Sequence, residues 1–164
     1  MEANPEQLKK IKGIGYANIF GLKLVQSVAR RYLKEQIIGE NYIQSSENVL
    51  DYLRHNLRDR GREVFLVVLL NGRNQILDIV ELFEGTLTTS AVYPREVIKL
   101  ILEKDAAAVI FVHNHPSGNP NPSKDDQNLT QKLKVACSTI DVQLHDHLII
   151  AGNDFTSMAD KGMI

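Results

Sequence analysis

The sequence predicts an α/β protein in which helices flank a mixed β-sheet, with a short helical segment in front. Apolar residues at helical spacing alternate along the chain with short runs rich in β-branched residues. Residues 71–74 (Asn-Gly-Arg-Asn) join two such runs by a turn, which favours an antiparallel hairpin. At 164 residues and 43% hydrophobic composition, the chain suits one globular domain with a small attachment. We therefore expect a helical head at residues 1–44 and a main domain at residues 45–164.

The head is predicted to be helical because its apolar residues recur every three or four positions. Helices are expected at residues 5–11 and 17–34, divided by Gly13-Ile14-Gly15. A looser segment at residues 35–44 then leads to a third helix, for which Ser46 is the expected N-cap.

The first predicted strand of the main domain is a short apolar run, Glu63-Val-Phe-Leu-Val-Val-Leu-Leu70, which is typical of a buried strand. Pro94 suits the first position of a helix. The remaining predicted elements are strands at 75–83 and 107–112, an extended piece at 85–92, helices at 94–104 and 125–138, a loop at 113–123 and one or two strands within 142–151.

Composition excludes several classes of protein. The single cysteine, Cys137, rules out an internal disulfide and an all-thiolate metal site, and its apolar neighbours predict a small buried residue. No apolar run approaches the roughly 20 residues that span a bilayer, and the polar first twelve residues show no secretory signal. We expect a cytoplasmic protein without a membrane partner.

Charge is divided unevenly along the chain. The net charge is −1, but residues 1–62 carry +4 and the remainder carries −5. A basic head on an acidic body indicates two surfaces with different partners, and chance scatter of solvated charge is the alternative.

The chemistry is concentrated in residues 113–126. His113 and His115 lie two apart at the end of an extended run, so their imidazoles point to the same side. Asp126 follows in the first turn of the next predicted helix, and the proline-rich loop folds it back. Two imidazoles and one carboxylate are typical of a catalytic zinc site that leaves a fourth position for water.

The same stretch has other interpretations. Ser123 and Asp126 are spaced as a helix capping box, with each side chain bonding the other's backbone. A further pair, His145 and His147, suggests a second site, but we interpret His147 as support for a metal ligand or as sheet packing.

The spacing His-x-His, seven residues, Ser-x-x-Asp resembles the signature of the JAMM (MPN+, or JAB) metallopeptidases, and His-Asn-His-Pro-Ser-Gly is similar to the RadC family within that group. Supporting matches are Gly85-Thr86-Leu87, Tyr93-Pro94-Arg95-Glu96 and Asp146-His147-Leu-Ile-Ile-Ala-Gly152. The resemblance spans residues 45–164. It implies a cytidine-deaminase-like MPN/JAB fold, a Zn²⁺ cofactor and a protein or peptide substrate.

The resemblance also implies roles for single residues. His113, His115 and Asp126 would bind zinc, and Ser123 would hydrogen-bond the tetrahedral intermediate or position water. The family needs an upstream glutamate as general base, and Glu63, which opens the first predicted strand, fits that place. Glu96 is the alternative base, but it lies within the Pro-Arg-Glu-Val helix, where a structural or supporting role is expected.

The head has a weaker signal of its own. The stretch from Ile11 to Asn18 looks like the hairpin of a helix-hairpin-helix element. RadC-like chains usually have a longer helical N-terminal region, of which this head would hold the latter half. Glycines there allow a tight turn, and backbone N–H groups at the next helix can hold a phosphate. Nearby cations are Lys9, Lys10, Lys12, Lys23, Arg30 and Arg31.

Several functions therefore stay open at this point. The head offers either weak DNA contact or an interdomain or partner-binding surface. For the whole chain, the main alternative to a zinc peptidase is a DNA repair-associated nucleic-acid-binding protein with a structural or vestigial metal site. Metal-dependent hydrolysis of a small-molecule amide would use the same residues.

Overall fold

The computed structural model describes residues 5–85 and 92–164. Within those residues the chain forms an α/β structure with helices on a mixed sheet, as the sequence predicts. In chain order the elements are α1 (Pro5–Lys9), α2 (Tyr16–Ile37), α3 (Ser46–Leu57), β1 (Glu63–Leu70), β2 (Ile76–Gly85), α4 (Pro94–Glu103), β3 (Ala108–Asn114), α5 (Lys124–Ser138), β4 (Gln143–Ala151) and β5 (Asp154–Ser157).

The strands form one sheet with the order β2-β1-β3-β4-β5 among the described residues. β1 runs antiparallel to β2 and to β3, and β4 runs antiparallel to β5. β3 and β4 are parallel, and α5 supplies the crossover that parallel neighbours require. This parallel pair brings the carboxyl ends of β3 and β4 to the same end of the sheet, where His113 lies.

Each face of the sheet is covered by helices, because successive strand residues point to opposite sides and both sides are apolar. α3 and the end of α2 cover one face, and α4 and α5 cover the other. Phe111 and Val109 face α4 and α5, whereas Val112 and Ile110 face α3. By the same alternation, His113 lies on the α5 side of β3.

The prediction for β1 is confirmed at both ends, at Glu63 and Leu70. The predicted loop at 113–123 is wrong at its beginning, because β3 continues through Asn114. His113 pairs with Phe65 on β1, and Asn114 pairs with Ile150 on β4. Two polar residues thus extend a buried strand because their side chains find partners there.

Other boundaries also differ from the prediction. α2 continues to Ile37, which is buried beneath α3, so the looser segment begins later than residue 35. Ser45, not Ser46, occupies the N-cap position of α3, and its side chain makes no capping bond. A separate last strand, β5, lies beyond residue 151. In the predicted extended piece 85–92, Gly85 ends β2 and residues 86–91 lie outside the described residues.

The end of the head contacts the main sheet. Lys34 on α2 forms an ion pair with Asp78 on β2 at 2.6 Å, and Lys104 pairs with the same carboxylate at 2.9 Å. The outer side of α2 is different, since Phe20 and Tyr32 there are 69% and 60% exposed. No helix in residues 5–85 or 92–164 is long and apolar enough to cross a membrane. The boundary between the head and the main domain, placed between residues 44 and 45, stays a prediction.

Candidate metal centre

The three predicted metal ligands converge at the edge of the sheet. His113 is the second-last residue of β3, His115 follows that strand, and Asp126 lies in the first turn of α5. One ligand atom from each residue lies within 4.8 Å of the others. The two Nε2 atoms are 3.0 Å apart, and Asp126 oxygens lie 3.2 Å from His113 and 3.3 Å from His115.

These separations suit zinc. A tetrahedral zinc with bonds of about 2.05 Å keeps its ligand atoms about 3.3 Å apart. The nitrogen–nitrogen distance and the shortest nitrogen–oxygen distances, 3.0 to 3.3 Å, are close to that value. Two imidazole nitrogens and a carboxylate are also a donor set that zinc accepts. The residues therefore fit the ion that the motif implies.

The electrostatics of the site favour a bound cation. Burial alone would favour the neutral form of Asp126, but the neighbouring imidazoles of His113 and His115 hold the pKa of its carboxyl far below the usual range. The Asp126 carboxylate correspondingly raises the pKa of His115, against the effect of burial. A smaller rise comes from the charge of Glu63, which places that carboxylate within electrostatic range of His115.

The capping box predicted for α5 is present. The Ser123 Oγ accepts a bond of 3.1 Å from the backbone N–H of Asp126, and Asp126 Oδ2 accepts a bond of 2.7 Å from the backbone N–H of Ser123. The Ser123 hydroxyl also donates to Asp126 Oδ2 at 2.6 Å. One carboxylate thus caps the helix and faces the two histidines.

Glu63 and Glu96, the two candidate bases, lie in different surroundings. Glu63 opens β1, two residues before the partner of His113 in the sheet, and lines a cavity of about 610 Å³. The residues around this cavity are Gly61, Arg62, Glu63, Gly85, Pro116 and Ser117. Glu96 lies in the first turn of α4, where its carboxylate accepts a 3.0 Å hydrogen bond from Arg95. Glu63 is the one that shares a cavity with the loop after His115.

His145 and His147 lie in different surroundings. His147 on β4 is fully buried, and its Nε2 lies 2.8 Å from Nδ1 of His113. Burial, with repulsion from His113, holds the pKa of His147 well below its usual value. His145 lies 2.8 Å from Asn74 Oδ1, beside the β1–β2 turn. Cys137 is buried on α5, and burial raises the pKa of its thiol to about 11.

The sequence did not indicate two of the residues that support the site. Thr130 Oγ1 lies 2.6 Å from His147 Nδ1, and Asn114 accepts a 2.8 Å bond from the backbone N–H of Val64. Thr130 follows Asp126 by four positions, so helical spacing alone places both on one face of α5. Asn114 had no comparable signal, because its partners are 50 residues away in sequence.

Two of the basic residues in the head form ion pairs with neighbouring glutamates. Lys9 pairs with Glu6 at 3.1 Å and lies 4.1 Å from the ring centre of Tyr16. Arg31 pairs with Glu35 at 2.8 Å. Gly13, in the predicted hairpin, has a φ of +89°, which suits glycine in a tight turn. The turn between α1 and α2 is therefore present, and its contact with DNA stays a prediction.

Comparison with known proteins agrees with this geometry. Residues 43–163 match a family model described as the RadC-like JAB domain. UPF0758 protein IL0240 of Idiomarina loihiensis is 44% identical over 164 residues, which cover 100% of this chain and 73% of the relative. A UPF0758 protein of Dechloromonas aromatica is also 44% identical, over 99% of this chain and 73% of its own length. UPF0758 protein Shew185_0376 of Shewanella baltica is 42% identical, over 96% and 70%.

The α/β fold and the His-His-Asp group define a JAB-domain protein whose site is compatible with a metallohydrolase. Within that class the chain belongs to the RadC family. The names of the relatives state no activity.

Proposed function

We propose that the protein is a zinc-dependent hydrolase of amide bonds, a metallopeptidase of isopeptidase type that acts on a protein or peptide. The observation that carries the proposal is the convergence of His113, His115 and Asp126 within 4.8 Å beside the cavity that Glu63 lines. This arrangement combines a cation site with a carboxylate of suitable chemistry for moving protons.

His113, His115 and Asp126 would hold the ion. When bound, zinc supplies Lewis-acid chemistry, since it acidifies a water and polarises a carbonyl group. The pKa of Asp126 is held low, so the carboxylate is ionised at neutral pH and attracts the cation. His115 Nδ1 lies 2.8 Å from the backbone oxygen of Asn119, an acceptor, which leaves Nε2 of a neutral ring for the metal.

Glu63 acts as general base and then as general acid. Its carboxylate takes a proton from the attacking water, whose oxygen bonds to the amide carbon. It then gives the proton to the nitrogen as the carbon–nitrogen bond breaks, so the products are a carboxylic acid and an amine. The charge of Glu63 acts on His115, which supports its place on the wall of the site.

Ser123 would hydrogen-bond the developing oxyanion. Its hydroxyl donates to Asp126 at 2.6 Å, so it must turn away from the carboxylate to reach the substrate. Its backbone N–H keeps Asp126 in place meanwhile, through the separate 2.7 Å bond. The Ser123 hydroxyl can therefore bind the substrate while Asp126 keeps its position in the helix cap.

The test combines zinc stoichiometry with hydrolysis of isopeptide-linked and linear peptides. We expect His113→Ala and Asp126→Asn to lose both zinc and activity. Glu63→Gln should keep zinc and lose about 100-fold to 10,000-fold in kcat, the usual contribution of a general base. Glu96→Gln is the matched control and should keep both.

Several outcomes would overturn parts of the proposal. Full activity in Glu63→Gln would remove Glu63 as the base, and loss of activity with retained zinc in Glu96→Gln would transfer that role. Zinc binding with cleavage of small amides alone would favour a small-molecule amidase. DNA binding that needs residues 1–44 and falls steeply with salt, without hydrolysis, would favour the nucleic-acid alternative.

A further inference from the structure

A chain of buried polar side chains leads away from His113. His113 Nδ1 lies 2.8 Å from His147 Nε2, and His147 Nδ1 lies 2.6 Å from Thr130 Oγ1. Thr130 Oγ1 lies 2.6 Å from the backbone oxygen of Asp126. The side chains of His113, His147 and Thr130 are all 0% exposed. This series of hydrogen bonds therefore begins at one proposed metal ligand, His113, and ends on the backbone of another, Asp126.

The contact between Thr130 and the backbone oxygen of Asp126 determines which atom donates in each of these hydrogen bonds. A backbone carbonyl only accepts, so the Thr130 hydroxyl must donate its single hydrogen to Asp126. The Met158 sulfur, 3.5 Å from the same hydroxyl, is a weak acceptor at a longer distance and does not compete. Thr130 Oγ1 then has only lone pairs for His147, so Nδ1 of His147 carries a hydrogen.

The direction continues to the metal site. His147 lies against the rings of Phe65 and Phe111, with centroids 5.8 and 5.9 Å away, and these rings offer no counter-charge. A neutral His147 with a hydrogen on Nδ1 has a lone pair on Nε2, which accepts from Nδ1 of His113. In a neutral His113 this leaves Nε2 without a hydrogen, and Nε2 is the atom that faces Asp126 and His115.

We propose that His147, oriented by Thr130, is a positioning residue that fixes His113 in the tautomer whose Nε2 accepts a metal. His115 is held in the same tautomer directly, since its Nδ1 lies 2.8 Å from the backbone oxygen of Asn119. Both rings thus end on a backbone carbonyl, one directly and one through two side chains. The proposal rests on the metal site of the proposed function.

The matched test variants are Thr130→Val and Thr130→Ser. Valine has the shape of threonine but no hydroxyl, so His147 loses the acceptor that keeps its hydrogen on Nδ1. The hydrogen then moves to Nε2, and His113 responds with its own hydrogen on the metal-facing nitrogen. Serine keeps the hydroxyl and should preserve the chain.

Two measurements read the effect. Long-range ¹H–¹⁵N NMR of the metal-free protein reports the tautomers of His113 and His147, and competition with a chromophoric chelator reports zinc affinity. We expect the wild type and Thr130→Ser to show hydrogen on Nδ1 of both rings. In Thr130→Val the His113 tautomer should change and zinc affinity should fall about 10-fold to 100-fold.

A further variant, His147→Gln, offers an amide oxygen to His113 and an amide N–H to Thr130, so zinc affinity should fall less than in His147→Leu. A wild type in which Nδ1 of His113 carries no hydrogen would overturn the proposal, as would Thr130→Val with unchanged tautomer and affinity. If the wild type binds no zinc, the proposed function fails, while the tautomers of the metal-free protein still decide the role of His147. Cooperative thermal unfolding of each variant identifies any that fail to fold.

Discussion

The side-chain oxygen of Asn114 accepts a 2.8 Å hydrogen bond from the backbone N–H of Val64, fifty residues earlier in the chain. The amide nitrogen of Asn114 donates to the backbone oxygen of Arg62 at 3.1 Å. Glu63 lies between those two backbone groups. Its main chain is therefore held from both sides by the residue between the two histidines, and this contact fixes the proposed base relative to the proposed metal.

Asn114→Ala should loosen this connection without touching the metal ligands. The variant leaves a buried N–H of Val64 without an acceptor, so the free energy of unfolding should fall by about 1–3 kcal/mol. Zinc stoichiometry should stay at the wild-type value, while peptide hydrolysis decreases because Glu63 is less well placed. Chemical denaturation, metal analysis and kcat measure the three effects. Asn128→Ala, on the exposed side of α5, is the control. Equal stability of both variants would contradict the role of Asn114.

Zinc should stabilise the folded protein through its ligands. An ion that binds only the native state at 100 times its Kd adds about 2.7 kcal/mol, and a chelator removes this gain. We expect the wild type to show a rise in Tm with zinc and His115→Gln to show little. His145→Gln is the matched control, because His145 contacts Asn74 beside the β1–β2 turn. The same thermal shift in His115→Gln as in the wild type would exclude His115 as a ligand.

The two roles of Ser123 are separable by substitution. Ser123→Gly removes the hydroxyl but costs a helix cap only a few tenths of a kcal/mol, whereas Ser123→Ala costs about 1 kcal/mol. If the hydroxyl binds the oxyanion, both variants should lose kcat by a similar factor of about 100. Ser123→Thr should keep the cap and most of the activity. Activity that follows stability across the three variants would mean that Ser123 acts through the helix alone.

The ion pairs of Asp78 predict how stability depends on pH. Partial burial would raise the pKa of Asp78, but hydrogen bonds from Lys34 and Lys104 outweigh it and hold the pKa below the usual value. A lowered carboxyl pKa contributes stability above the unfolded value of about 3.9, and this is lost as the pH falls through the folded value. Asp78→Asn should therefore destabilise by about 1 kcal/mol at pH 7 and by progressively less below about pH 4.

Urea denaturation across that pH range measures the effect. Asp59→Asn provides the comparison, since Asp59 forms an exposed pair with Arg58 at 3.7 Å. We expect its stability to differ little from wild type at any pH. A constant difference between wild type and Asp78→Asn from pH 3 to pH 7 would show that the ion pairs of Asp78 contribute nothing.

The apolar pattern predicted most of the architecture. An eight-residue, mostly apolar run predicted both ends of β1, and the turn at 71–74 predicted the hairpin with β2. Pro94 marked the first residue of α4. These elements are determined locally, by side-chain burial and by turn chemistry, so the sequence contains what is needed to find them.

The end of β3 was not predictable in the same way. His113 and Asn114 are polar, which in a sequence indicates the end of a buried strand, yet both are almost fully buried in the sheet. Their partners, His147 and Val64, come from β4 and β1. Only the assembled sheet brings these partners within hydrogen-bond distance, so the motif shows which residues meet but not what holds them.

The double use of Asp126 affects how related sequences should be compared. Ser123 and Asp126 cap α5 whether or not an ion is present, because their mutual bonds involve only each other. A related protein without the proposed metal site would still gain stability from keeping both residues. His115 is only partly buried, and outside the proposed metal site its side chain contacts the backbone oxygen of Asn119 in the loop. Among related sequences, loss of His115 would therefore indicate loss of the proposed metal site more directly than a change in the Ser-x-x-Asp spacing.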